Sequence, residues 1–181
     1  MRTSKHQLFC LAVLVAVAAL PALGQRASNK PRTSPNASIS QTIGVTKVTI
    51  SYGRPGVKGR KIWGELVPYG EVWRTGANEA TAISLTRNVT IEGQELPAGT
   101  YALFTIPNED EWTIIFNKNP KQWGAFDYDP RLDALRVKVK PEPADHKEWM
   151  SFSFMDLSAN SAKLVLRWEK LAVPLKIQVA E

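Results

Sequence analysis

The dominant signal along this chain is a period of two. Val48, Ile50 and Tyr52 alternate with Thr49 and Ser51, and Ile83 and Leu85 alternate with Ser84 and Thr86. Each run therefore lays its apolar side chains on one face of a strand. Val89 and Ile91 lead through the polar stretch Glu92-Gly93-Gln94-Glu95 to Leu96, the pattern of two short strands joined by a hairpin. Pro97-Ala98-Gly99 suits a type I turn, with proline fixing φ at the second position and glycine at the fourth. Tyr101 to Ile106 is almost wholly apolar, which predicts a central strand covered on both faces. Further alternating sets follow: Trp112, Ile114, Phe116; Leu135, Val137, Val139; Met150, Phe152, Phe154; Leu164, Leu166, Trp168; and Leu171, Val173, Leu175, Ile177, Val179. Pro174 interrupts the last set and predicts a sheet edge or a bulge there, since proline has no N–H for a ladder. A 3.6-residue period is absent from windows of helical length, and only Pro130 to Leu135 suggests a single short turn. About nine strands separated by turn signals predict an all-β fold, an antiparallel, jelly-roll-like β-sandwich.

The pattern breaks between Gly53 and Thr81. A connection this long is usually functional or disordered, and Trp63, Tyr69 and Trp73 within it argue for an ordered loop folded over the sandwich. Its first half, Arg54-Pro55-Gly56-Val57-Lys58-Gly59-Arg60-Lys61, sets four cations around two glycines. Arginine forks suit carboxylate or phosphate, although no Gly-Lys-Ser/Thr follows to make a phosphate-binding loop of the Walker type. The second half, Trp73-Arg74-Thr75-Gly76-Ala77-Asn78-Glu79-Ala80-Thr81, gathers planar donors, a carboxylate and an aromatic. That set fits sugar hydroxyls or a small acid. It equally fits an internal network in which Arg74 pairs with Glu79 and pins the loop. The candidate ligand-binding residues are Arg60, Trp63, Arg74, Asn78, Glu79 and Trp123.

The N-terminus reads differently. Arg2 and Lys5 precede the apolar run Leu8 to Leu20, and Ala22-Leu23-Gly24 offers small residues at a cleavage point, so residues 1–24 are expected to be a secretory signal. The run is too short to span a bilayer, and no second apolar stretch follows. Residues 25–40, rich in Ser, Pro, Asn and Lys, are expected to form a flexible leader, and 41–181 a single sandwich domain. Cleavage after Gly24 lowers the net charge from +6 to +4 and removes Cys10, the one cysteine among 181 residues. That leaves no disulfide and no thiolate zinc site. The charge is mild for an exported protein, so nucleic acid is not an expected partner. No metal or cofactor is expected, and periplasm or secretion is the expected location.

Several runs together point to a family. Tyr52-Gly53-Arg54-Pro55, Lys58-Gly59-Arg60, Leu66-Val67-Pro68-Tyr69-Gly70, Val72-Trp73-Arg74-Thr75-Gly76-Ala77-Asn78-Glu79, Pro97-Ala98-Gly99-Thr100-Tyr101, Trp112-Thr113-Ile114-Ile115-Phe116-Asn117 and Trp123-Gly124 resemble the signature of the bacterial family catalogued as domain of unknown function 2911. The resemblance covers Ser40 to Val179. It implies an exported protein of Gram-negative bacteria and brings no activity, substrate or catalytic residue with it.

The remaining chemistry is sparse. His146, the one histidine left after cleavage, lies in the Pro-rich stretch Pro141 to His146, a poor setting for a serine hydrolase triad. Asp127, Asp129 and Asp133 lack the glycine and the oxygen spacing of a calcium loop. Three readings stay open. The first is an exported sandwich that binds a small polar or sugar-like ligand at the loop 54–81 cluster. The second is a carbohydrate-active hydrolase or lyase with Glu79 as acid or base, a second carboxylate coming from Asp127 or Asp129. The third is a structural envelope protein with no ligand.

Overall fold

The computed structural model describes residues 31–180; the expected signal and the first part of the leader lie outside them. Ten strands follow in order: β1 (Asn36–Ile43), β2 (Thr46–Gly53), β3 (Thr81–Leu85), β4 (Val89–Ile91), β5 (Gln94–Leu96), β6 (Gly99–Ile106), β7 (Trp112–Asn117), β8 (Asp133–Val139), β9 (Glu142–Met155) and β10 (Ser161–Gln178). They form a six-stranded sheet, β1-β2-β3-β6-β7-β8, and a four-stranded sheet, β5-β4-β10-β9. Neighbouring strands in both sheets run antiparallel, and the two inner faces share one core. Val48, Ile50, Leu103 and Phe116 from the larger sheet join Phe152, Leu164, Leu166 and Ile177 from the smaller. Burying each such side chain contributes about 1.5–3 kcal/mol.

The apolar run in β6 is covered on both faces, as its composition implies. Tyr101 and Leu103 face the main core, while Ala102 and Phe104 enter a second, smaller cluster with Ala80 and Ile115. That outer cluster is roofed by Val72, Ala125 and Tyr128, with the Tyr128 ring edge-on to Phe104 at 5.0 Å. Between β4 and β5 the chain turns at Glu92 (φ 46°) and Gly93 (φ 82°), the positive pair that suits a tight hairpin.

Several elements depart from the sequence pattern. Ordered strand begins at Asn36, inside the stretch whose composition suggested a leader. The reason is a full ladder from Asn36↔Gly53 to Ile43↔Thr46, with Ala37 and Ile39 packed against the core. The Pro-rich stretch before His146 belongs to β9, where Pro143 pairs with Leu171 and Lys147 with Glu169. The last two alternating sets are one strand, β10. Its register shifts between Arg167 and Leu171, with Glu169 at φ 53°, and an inserted residue of this kind moves the inward phase from even to odd positions. Pro174 falls after the last β9 pair at Ala172 and before the first β4 pair at Ile177, so its missing N–H costs no ladder bond. The short turn is a 3₁₀ turn at Pro130–Leu132, with the Asp129 carboxylate capping its N-terminus and Asp133 closing its C-terminus.

Candidate functional site

The excursion between β2 and β3 first runs along the free edge of β9. Val57 N–H donates to the Glu148 carbonyl at 2.9 Å and Met150 N–H to the Pro55 carbonyl at 3.0 Å. The chain then turns inward, and Trp63 and Trp73 fill the core beside Trp112 of β7 and Trp168 of β10. Trp63 stands edge-on to all three other indoles, with centroids 4.9–5.9 Å away, and Trp73 stacks on Trp168 at 5.9 Å with 18° between planes. Trp63 is 9% exposed. Its ring is thus core packing and presents no face to an external ligand, a correction to its place among the candidates. The burial of a large apolar ring outweighs the irregular backbone that made it look like a surface aromatic.

The cations of the first half are engaged by the protein itself. Arg54 Nε donates to the Met150 carbonyl at 2.8 Å. Arg60 donates to the Val57 and Gly56 carbonyls at 3.1 and 2.6 Å, which closes its own turn. Lys58 Nζ lies 5.7 Å from the Trp149 ring centroid, and Lys61 pairs with Glu65 at 3.1 Å. Arg60 therefore serves the loop's own conformation and does not meet the second-half residues.

The second half is stitched to the outer side of the larger sheet. Trp73 N–H and carbonyl exchange hydrogen bonds with Thr105 of β6 at 2.7 and 2.9 Å. Along this strand-like piece Trp73 and Thr75 are buried inward, whereas Val72 packs on the outer cluster; by alternation Arg74 also faces outward. Thr81 N–H donates to the Arg74 carbonyl at 3.1 Å, Ala80 N–H to the Gln122 carbonyl at 2.9 Å and Gly124 N–H to the Asn78 carbonyl at 3.1 Å. Glu79 and Trp123 thus sit opposite one another across an isolated bridge. Trp123 is 57% and Phe126 84% exposed, so this layer carries an aromatic rim. The close approach of Ala77 depends on Gly53, because a Cβ there would lie 2.1 Å from the Ala77 carbonyl oxygen.

Arg74 and Glu79 do not pair. Both Glu79 oxygens accept from Arg32, Oε2 from Nη1 at 2.6 Å and Oε1 from Nη2 at 2.8 Å. Asn78, held at φ 66°, donates from Nδ2 to the Ser34 carbonyl at 3.0 Å. Arg32 hydrogen bonding holds the Glu79 carboxyl below the usual carboxylate range. Arg74 is left without a hydrogen-bond acceptor among the described residues: its Nε is fully buried and unpaired, and burial lowers its pKa from the usual arginine value. It stays charged all the same. A partly desolvated guanidinium with no counter-ion among the described residues is costly.

Asp129 and Asp133 are occupied. Asp129 is held by Arg131 at 2.7 Å, and Asp133 accepts from Asn117, Tyr128 and Arg136 at 2.8, 2.7 and 2.7 Å. Among the described residues no group of three His, Cys, Asp or Glu side chains is placed to hold a metal ion. Between the sheets a cavity of ≈ 20 Å³ is lined by Thr75, Leu103, Trp112, Ile114, Phe152 and Leu166, among others. That is room for about one water, far below what a sugar needs.

These residues lie within a stretch that a family model matches, residues 34–177. The chain belongs to the family described as Protein of unknown function (DUF2911). Curated proteins and solved structures give no match to it. The family stretch takes in Arg74, Asn78, Glu79 and Trp123 and begins just after Arg32, the residue that sequence reasoning missed. Arg32 is separated from Glu79 by 47 positions, a pairing that no local spacing signals. No described helix is long and apolar enough to cross a membrane.

Proposed function

We propose that this is an exported β-sandwich protein that binds a small polar ligand carrying an oxyanion, a carboxylate or a phosphate, at Arg74, with Trp123 as a flanking aromatic and Asn78 and Glu79 on the rim. One observation carries the reading: Arg74 is partly desolvated with its Nε buried and no acceptor among the described residues. Arginine's fork matches carboxylate and phosphate oxygens bidentately, so an oxyanion is the ligand class that would satisfy it. The exposed Trp123 ring favours a ligand with a flat apolar face, as a sugar acid has. Glu79 as general acid is the weaker reading, because an acid needs a raised pKa near the working pH and Arg32 lowers this one. Export rests on the basic, apolar and small-residue sequence of residues 1–24.

Titration calorimetry with glucuronate, inorganic phosphate and neutral glucose tests the site. Glucuronate or phosphate should bind the parent protein and lose at least about tenfold in affinity in Arg74→Met, the equivalent of about 1.4 kcal/mol. Equal affinity in parent and variant, or glucose binding as well as glucuronate, would remove Arg74 from the site. Absence of binding by all three would leave the structural reading.

A further inference from the structure

The larger sheet ends in β1 and β8, the smaller in β5 and β9, and three of these four edges are protected. β8 exposes the charged Arg136 and Lys138, and its register with β7 shifts beside Asn117. β5 is only three residues long. β9 carries Pro143, its register with β10 shifts twice, and the excursion covers part of its edge through Pro55 and Val57. Charge, irregularity, shortness and covering are the devices that keep a sheet edge from pairing with another chain. β1 has none of them. Asn36–Ile43 runs in unbroken register with β2 and contains no charge, proline or glycine.

The direction of its main-chain groups is fixed by its neighbours. The Pro35 carbonyl accepts from Arg54 N–H at 2.8 Å, and on the far side of β2 Thr86 N–H donates to the Lys47 carbonyl at 3.1 Å. Bonding groups alternate sides along an antiparallel strand, so Ala37, Ile39, Gln41 and Ile43 bond to β2. The N–H and carbonyl groups of Ser38, Ser40 and Thr42 therefore turn to the open edge, where no described strand meets them. On the inward face Ala37 and Ile39 pack on the core yet are only half-buried, whereas Val48 and Ile50, one strand further in, are fully buried.

We propose that the open edge of β1 takes a second copy of this chain, β1 against β1 in antiparallel register about a two-fold axis at Ile39, joining two six-stranded sheets into one. Side-chain facing and bond direction both repeat every two residues, so a self-paired register must centre on a residue and not between two. Centring on Ile39 sets Ile39 against its own copy and covers the half-buried apolar flank. It also sets Ser38 against Ser40 and Asn36 against Thr42 on the exposed face. Like charges directly opposite destabilise a strand pair, whereas hydroxyl pairs favour it. The uncharged row is thus self-complementary, as an isologous interface requires, which favours a second copy over a strand of unrelated sequence. This inference is independent of the oxyanion reading.

Sedimentation equilibrium of the full-length protein tests it, with thermal unfolding and far-ultraviolet circular dichroism as controls for folding. The parent should sediment as a dimer, and its melting temperature should rise with protein concentration. Ser40→Pro deletes one N–H on the open edge while leaving the bonds to β2 in place, and should weaken association at least about tenfold. Ser38→Lys combined with Ser40→Lys sets like charges against one another across the axis and should do the same, less severely at high salt. A parent that sediments as a monomer throughout the concentration series overturns the proposal and leaves the edge to a strand of another protein. A dimer that both folded variants leave intact overturns it too, by placing the interface elsewhere. Should Ser40→Pro fail to fold, the lysine pair decides alone.

Discussion

The two halves of the excursion between β2 and β3 contain the same residue type and handle it in opposite ways. In Arg54–Lys61 the guanidinium groups end on backbone carbonyls, Arg54 on Met150 and Arg60 on Val57 and Gly56. In Trp73–Thr81 Arg74 has a buried Nε with no acceptor among the described residues, although a carboxylate lies five residues along the chain. The more basic half looks the better anion site by composition, yet its guanidinium groups are already satisfied by the fold. The proposed reading rests on this contrast, a partly desolvated guanidinium with no partner among the described residues against guanidiniums that the fold already satisfies.

The strongest way to disturb the comparison is to remove what holds both halves down. Trp63→Ala should cost about 3–5 kcal/mol, the range for truncating a buried aromatic, because three other indoles pack on that ring. Urea unfolding measures it, and a loss below about 1 kcal/mol would mean that the excursion is only loosely docked.

A pair of arginine variants sharpens the contrast at smaller amplitude. Arg60→Ala should destabilise by about 1 kcal/mol through its lost carbonyl bonds. Arg74→Met should leave the melting temperature unchanged or raise it, since an apolar chain of similar length removes an uncompensated charge and breaks no pair. Should Arg74→Met prove the more destabilising of the two in differential scanning calorimetry, Arg74 is a structural residue and the contrast disappears.

The smallest effect is in the alkaline range and concerns the roof of the second half. Desolvation, reinforced by its bond to Asp133, pushes the Tyr128 phenol up to about 12 from 10.0. A raised folded pKa means that the stabilisation is complete below pH 10 and fades as pH climbs toward 12, because the unfolded chain releases the proton first. Tyr128→Phe should flatten that part of the stability profile. An identical decline in parent and variant would assign it to other groups.

Much of the scaffold was legible because burial acts on alternate residues. Val48, Ile50, Ile83, Leu85, Ile114 and Phe116 announce their strands and inward faces directly. Three places were not. β1 earns its order from main-chain pairing with β2, which composition does not register. The bulge around Glu169 hides the continuity of β10 by changing the phase of its pattern. The first half of β9 carries Pro143, two residues after Pro141, and reads as a connection until its partner strand is known. At the site, the residue types were legible and their partners were not. Local spacing suggests Arg74 with Glu79, whereas the fold brings Arg32 from far along the chain.

The tryptophan quartet has an optical consequence. Indoles with centroids 4.9–6.4 Å apart, one pair stacked at 18°, couple their electronic transitions, so the near-ultraviolet dichroism of this domain should carry an exciton signature that vanishes on unfolding. Trp123 and Trp149 lie outside that group and face solvent, and their redder emission is separable from the blue emission of the shielded rings. The protein thereby comes with two sets of native chromophores: the shielded quartet reports whether the sandwich is closed, and the exposed pair reports on its surface.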